Sequence, residues 1–304
     1  MTNALGTSLL ERIGNTPLIR LEKLTAHLPG VHILGKAEWA NPGGSGKDRS
    51  TAAIVADARQ RGLLRDGKRL LDASSGNAGV SYAMLGAALG FPVTLCMPDT
   101  VSTARKKIVA AFGAEAFYTP SESGLDGAIL KARELVGNDP DRFCYVDQFS
   151  NDVNWQAHYQ STGSEIWQQT EGRVTHFLAG LGTSGTFIGT TRKLKQYNSK
   201  MECIALQPDS PDHRLDGLKH ISTSLLPAIY SPYLADRNVT VGVEEAQAMA
   251  RRLAQQMGLL IGISSAGAVA ACLKIAEETV ASAGHSEKEL VIVTLLCDSG
   301  DRYL

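Results

Sequence analysis

Residues 174–197, VTHFLAGLGTSGTFIGTTRKLKQY, read as a short apolar strand, a glycine-rich turn and a helix in immediate succession. The apolar run VTHFLAG has strand length, and beyond the turn the pattern lengthens to helical spacing. The turn, Gly180-Leu181-Gly182-Thr183-Ser184-Gly185-Thr186, brings backbone N–H groups and three hydroxyls to the start of that helix. A helix N-terminus carries unpaired N–H groups and the positive end of the peptide dipoles, so the turn is a ready site for a phosphate dianion. It also fits G-x-G-x-x-G, the fingerprint of a dinucleotide fold. A nucleotide enzyme carries Asp or Glu at the end of the next strand to hold a ribose. Here CIALQPD ends in Gln207-Pro208 with Asp209 just beyond, which leaves that alternative open.

The same alternation runs outward in both directions. HILGKAEW, RLLDAS and PVTLCMP alternate with STAAIVADARQRGLL, NAGVSYAMLGAALG and STARKKIVAAFG. The later part continues with MECIALQP, VEEAQAMARRLAQQMG, AGAVAACLKIAEETVASAG and LVIVTLLCD. Strands alternating with helices predict an α/β protein with parallel sheets covered by helices. At 304 residues and 43% apolar composition the chain has enough material for two domains. Three more Gly/Ser/Asn-rich turns join probable strands to probable helices: NPGGSGKDRS (41–50), SSGNAG (74–79) and GISSAGA (262–268). Ligands bind beyond the carboxyl ends of strands in open α/β sheets, so these turns are expected to face one cleft. The polar stretch from Pro208 to about Pro232 is a long irregular connection and a candidate substrate loop.

Lys plus Arg total 30 against 31 Asp plus Glu, so no field of either sign would gather nucleic acid or an anionic membrane surface. No stretch reaches about 18 apolar residues and the N-terminus lacks a secretory pattern, which predicts a soluble, cytoplasmic protein. Five widely spaced cysteines, an odd number without CxxC or a Cys/His cluster, predict reduced buried thiols and no metal site.

Lys47 follows Gly43, Gly44 and Gly46 in its loop. A loop lysine is ordinarily a solvated charge, but these glycines allow close approach of a flat ligand. An amine in such a pocket can lose its proton and form an imine with an aldehyde. Asn77 stands at a helix start, where the default role is a cap. Its amide can instead donate to an oxygen on a bound ring. Ser264 and Ser265 likewise can cap a helix or meet a ring nitrogen.

Together these turns resemble the cysteine synthase family, the β-replacement branch of fold-type II pyridoxal-phosphate enzymes. The resemblance spans IGNTPLIRL (13–21), NPGGSGKDR (41–49), SSGNAG (74–79), MPDTVS (97–102), GAE (113–115), DQFSN (147–151), THFLAGLGTSGT (175–186), GISSAGAV (262–269) and CDSGDRYL (297–304). EIWQQTEGRVTHF (165–177) and the ending GDRYL are similar to the cysteine synthase B subgroup.

The resemblance implies a tryptophan synthase β-subunit-like fold of two three-layer αβα domains with pyridoxal 5'-phosphate between them. Residues 41–152, with an arm at 1–12, would form the N-terminal domain, and 13–40 with 153–304 the cofactor-phosphate domain. Lys47 would be the Schiff-base lysine and proton shuttle, and Asn77 would bond the cofactor's phenolic oxygen. Gly182, Thr183, Ser184, Gly185 and Thr186 would cradle the phosphate, with Ser264 at the pyridine nitrogen. Ser74, Ser75, Gly76, Asn77 and Gln148 would hold the substrate carboxylate, and the domain bearing 74–79 would close onto it.

The implied reaction eliminates acetate or phosphate from O-acetyl-L-serine or O-phospho-L-serine to a bound aminoacrylate. Sulfide or thiosulfate then adds, giving L-cysteine or S-sulfocysteine. Implied partners are the amino acid and sulfur donor, a second copy in a homodimer, and serine acetyltransferase or a sulfur-carrier protein. The same fold also supports cystathionine-, cyanoalanine- or diaminopropionate-type synthases and serine/threonine dehydratases. Ala78 and Ser74 stand where the family commonly has Thr, and Ala266 replaces a usual Gly, which bears on substrate choice. The loop DHRLDGLKHI (212–221), with Arg214, Lys219 and His220, is basic and is expected to favour an anionic donor or nucleophile.

Overall fold

The computed structural model of the protein describes residues 6–65, 67–283 and 289–303; residues 1–5 of the expected arm and Leu304 of the GDRYL ending lie outside them. The strands are β1 (Leu18–Arg20), β2 (Val31–Ala37), β3 (Arg69–Ala73), β4 (Val93–Pro98), β5 (Glu115–Thr119), β6 (Phe143–Tyr145), β7 (His176–Gly180), β8 (Glu202–Pro208), β9 (Arg237–Val241) and β10 (Leu290–Leu296). They form a four-stranded sheet in the order β5-β4-β3-β6 and a six-stranded sheet in the order β1-β2-β10-β7-β8-β9.

Every pairing in the smaller sheet is parallel. In the larger sheet β1 departs from the expected parallel pattern, running antiparallel to β2 with Leu18 opposite Lys36. Only residues 21–30 separate the two strands, too few for the dozen or more that a parallel crossover needs.

Both sheets are covered on both faces, and strand alternation shows it directly. In β7, Leu178 joins one apolar layer while Phe177 and Ala179 join the other; Ile204 and Leu206 of β8 likewise oppose Cys203 and Ala205. In the smaller sheet Leu70 and Leu95 face one layer, Leu71 and Cys96 the other. Strands enclosed this way are continuously apolar, as LVIVTLL of β10 is. Each sheet is thus the middle of an αβα sandwich. Ile13 and Val153 pack at the edge of the smaller sheet's core.

The halves are joined behind the cleft by a buried ionic network. Arg49 donates to Glu38 at 2.7 Å and to Glu165 at 2.6 Å, and Lys36 Nζ lies 2.6 Å from Glu165. Burial alone would raise the Glu165 carboxyl, but hydrogen bonds and charge from Arg49 and Lys36 outweigh it and hold Glu165 down at about 2. Arg49 lies in the first turn of the helix Lys47–Gln60, so the network fixes the helix that begins at Lys47.

Candidate active site

The helices Lys47–Gln60, Asn77–Leu89, Gly185–Tyr197 and Ile263–Ala283 all begin at one cavity of about 130 Å³ between the two sheets. Of the residues expected to act, Lys47, Ser74, Ser75, Gly76, Asn77, Gln148, Gly182, Thr183, Ser184, Thr186, Lys219 and Ser264 line it. Gly185 does not; it opens the helix next to Ser184, and a Cβ there would strike the Asn154 amide. Ala266, absent from the lining, is fully buried within its helix.

The 180–186 turn is rigid for identifiable reasons. A Cβ on Gly182 would meet the Gly217 carbonyl oxygen, which is backbone and cannot swing aside. Ser184 holds a left-handed conformation at φ 72°, rare for a side-chain-bearing residue and typical of functional loops. Its hydroxyl is buried without a partner among the described residues. Thr183 Oγ1 accepts from Asn154 Nδ2 at 3.1 Å, and Thr186 Oγ1 lies 3.1 Å from His158 Nε2. A buried orphan hydroxyl beside glycines at a helix N-terminus is a cradle for an oxyanion.

Lys47 heads its helix on the opposite wall, and its remaining exposure faces the cavity that it lines. Burial lowers its pKa against the opposing pull of Cys297 and Asp298. An amine so placed is more readily neutral, and hence nucleophilic and basic.

Asn77 does not cap its helix. Its Nδ2 donates to Asp298 Oδ2 at 2.6 Å and its Oδ1 accepts from Arg302 at 2.8 Å. Local capping falls to Ser74 instead, whose Oγ accepts from Gly76 N at 3.1 Å and Gly79 N at 2.9 Å. Gln148 Nε2 donates to Ala73 O at 2.8 Å, which ties the DQF segment to the base of the 74–79 loop.

Residues that sequence reasoning left without roles surround Asn77. Asp298 also accepts from the Tyr303 hydroxyl at 2.6 Å, and burial raises its pKa against those hydrogen bonds. Arg302 donates to Gly43 O at 2.5 Å, and Arg105 sits 4.7 Å from the Tyr303 ring centre. Asp298, Arg302 and Tyr303 belong to the quoted CDSGDRYL motif, so the signal was present, but the bonds from Asp298 and Arg302 to Asn77 reach back more than 200 positions. Lys219, expected as a free cation, is 5% exposed and lies 2.7 Å from Asp126.

The sequence profile of the family described as "Pyridoxal-phosphate dependent enzyme" matches residues 9–298. The chain belongs to that family. Within it, the chain is 48% identical to a cysteine synthase of Aquifex aeolicus over 98% of this chain and 90% of that protein. It is 39% identical to a cysteine synthase B of Pseudomonas aeruginosa, covering 98% of this chain and 95% of the relative. A solved cysteine synthase of Entamoeba histolytica superposes with a TM-score of 0.90 at 33% identity, covering all of this chain and 90% of that one. The family's cofactor, pyridoxal phosphate, fits the cleft: an oxyanion cradle on one wall and a buried amine of lowered pKa on the other match its phosphate and aldehyde. Among the described residues no group of His, Cys, Asp and Glu is placed to hold a metal ion, and no helix is long and apolar enough to cross a membrane.

Proposed function

We propose that the chain is a cysteine synthase of the O-acetylserine sulfhydrylase type, a transferase that replaces the β-substituent of an O-activated L-serine with sulfur. The observation that carries this reading is that Lys47, the 180–186 cradle and the 74–79 loop line one cleft in a chain 48% identical to a cysteine synthase. Lys47 Nζ is the attachment point for the cofactor's aldehyde carbon, and Gly182, Thr183, Ser184, Gly185 and Thr186 hold its phosphate. Asn77 would hold the ring oxygen with its second amide hydrogen, the first being bound by Asp298. Ser264, on the first turn of its helix, would be the neutral partner of the ring nitrogen. When bound, pyridoxal phosphate supplies the electron sink that lets Cα–H break and the β-substituent leave.

Lys47 Nζ would take the Cα proton and later return it, a role its lowered pKa suits. Ser75 and Asn77 present N–H groups to the substrate carboxylate, while the Gly76 N–H between them is taken by the Ser74 hydroxyl. Ser74 shapes that loop, and Gln148 braces it from below. Closure of the half bearing 74–79 excludes water during turnover.

The domain division, 41–152 against 13–40 with 153–304, is supported by the separation of the two sheets. A homodimer rests on the resemblance. A cytoplasmic setting is supported by five cysteines without a disulfide. Serine acetyltransferase or a sulfur-carrier protein as partner rests on the resemblance alone.

The test is direct. Purified protein loaded with pyridoxal phosphate is expected to show a visible absorption band and to make L-cysteine from O-acetyl-L-serine or O-phospho-L-serine with sulfide. Lys47→Ala should abolish the band and lower turnover by at least about a thousandfold. Cysteine formed from neither donor would overturn the proposal.

A further inference from the structure

Three cations line the cleft: Lys47, Arg105 and Lys219. Lys47 is assigned to the cofactor in the reading above, on which this inference rests. The other two are neutralised from within the chain. Lys219 Nζ lies 2.7 Å from Asp126 Oδ1, and Arg105 Nη1 lies 2.7 Å from Asp216 Oδ2. Both cationic side chains are almost wholly enclosed, at 6% and 3% exposure, so neither can swing out to an alternative partner in solvent.

The pairs have opposite polarity across the same gap. Arg105 lies on the helix Thr103–Ala111 and Asp126 on the helix Gly124–Asn138, both packed with the smaller sheet. Asp216 and Lys219 belong to the connection between β8 and β9 of the larger sheet. Each side therefore contributes one cation and one carboxylate. Asp126 is further held by the Leu225 N–H at 2.8 Å, and Arg105 is stacked between Gly76 and the Tyr303 ring. With Lys47 set aside, two cations face two carboxylates and no net positive charge remains for a dianion.

That balance bears on the substrate. A phosphate monoester carries about −1.5 to −2 charge at neutral pH, whereas an acetyl ester carries none. To be held by Lys219 a phosphate must displace Asp126, and at Arg105, whose Nε is buried without a partner among the described residues, it must share a cation whose charge Asp216 already matches through Nη1. Asp216, half exposed in the cavity wall, also repels it directly. Thiosulfate meets the same barrier as a nucleophile, and hydrosulfide, singly charged and small, meets it least.

We propose that Asp126 and Asp216 are specificity-determining residues: by occupying the two pocket cations they admit donors with an uncharged β-substituent and reject phosphate esters and thiosulfate. Of the basic residues in the 212–221 loop, Lys219 is neutralised in the fold, by Asp126.

The experiment compares kcat/KM for O-acetyl-L-serine and O-phospho-L-serine, with sulfide, in the holoenzyme. Wild type is expected to favour the acetyl ester. Asp216→Asn leaves Arg105 stacked but unpaired and should shift the ratio about tenfold toward the phosphate ester. Asp126→Asn should shift it the same way through Lys219, and the shift produced by Asp216→Asn should vanish when Arg105→Gln is added. A structural role alone would slow both donors equally. Wild-type preference for the phosphate ester, or an unchanged ratio in both single variants, would overturn the inference while sparing the β-replacement reading. Turnover of neither donor would overturn that reading and this inference with it.

Discussion

The wall proposed to hold the cofactor and the wall proposed to hold the substrate are made of different materials. Along residues 180–186 the inward groups are hydroxyls and backbone N–H groups, held by a glycine that touches backbone and by a serine in a left-handed conformation. Around residues 74–79 the holding groups are side chains: the Ser74 hydroxyl and the Gln148 amide, with Asp298 and Arg302 supplied to Asn77 from the far end of the chain. A wall of backbone has one arrangement and suits a permanently bound cofactor. A wall held by side chains rearranges more readily than one of backbone, which suits the proposed closure and choice of substrate. The difference predicts that mutations on the first wall act on cofactor retention and those on the second on turnover and choice of substrate.

The largest expected effect lies behind the cleft, in the network that fixes the helix beginning at Lys47. Arg49→Leu leaves Glu38 and Glu165 buried without their main cation and should cost about 3–5 kcal/mol, read from the urea midpoint. Glu165 is held at about 2 in the folded chain, below its ordinary value, so the stability that it adds is present above pH 4.5 and is lost as pH falls toward 2. That acid-sensitive portion should shrink in the variant.

Next is Gly182→Ala, which drives a methyl into the Gly217 carbonyl. Cofactor affinity, measured by titrating the apo-protein, should fall about ten- to a hundredfold, equivalent to overpacking by roughly 1–3 kcal/mol. Asp298→Ala should do the reverse. It leaves Asn77 and Tyr303 without their acceptor and should lower kcat/KM by about tenfold while cofactor affinity changes far less. Equal losses of affinity in the two variants would erase the distinction between the walls. Smallest of all, Ala78→Thr returns a hydroxyl beside the carboxylate loop. It should lower KM for the amino-acid donor by a few fold, with the cofactor titration unchanged.

Much of the cofactor wall was legible because its information is local. Strand, glycine turn and helix lie within residues 174–197, and the observed β7 and the helix Gly185–Tyr197 fall inside that stretch. Three of the four turns follow the strands β2, β3 and β7, whereas 262–268, expected to follow a strand, comes after the helix Val243–Met257 with only an isolated bridge at Ile261 before it. The substrate wall was read less completely. Asn77 at a helix start invites a capping assignment, and nothing near it in sequence announces Asp298 or Arg302. Lys219 and its neighbours looked like a free basic loop because Asp126, which neutralises Lys219, lies 93 positions away. Charge counted along a chain says little about charge summed across a cleft. The antiparallel β1 escaped for a simpler reason: a three-residue strand has too little pattern to declare its direction.

The position of β10 bears on how the molecule is made. It is the last strand in the chain, yet it lies between β2 and β7, in register with both. Until it arrives, the larger sheet exists only as fragments whose facing edges, β2 and β7, are unpaired and apolar. Non-local pairings of this kind fold slowly, and exposed edges of this kind aggregate while they wait. A nascent chain released short of residue 290 would keep its smaller sheet and most of its helices but would have no seam to close, so chaperone demand should track synthesis of that one late strand.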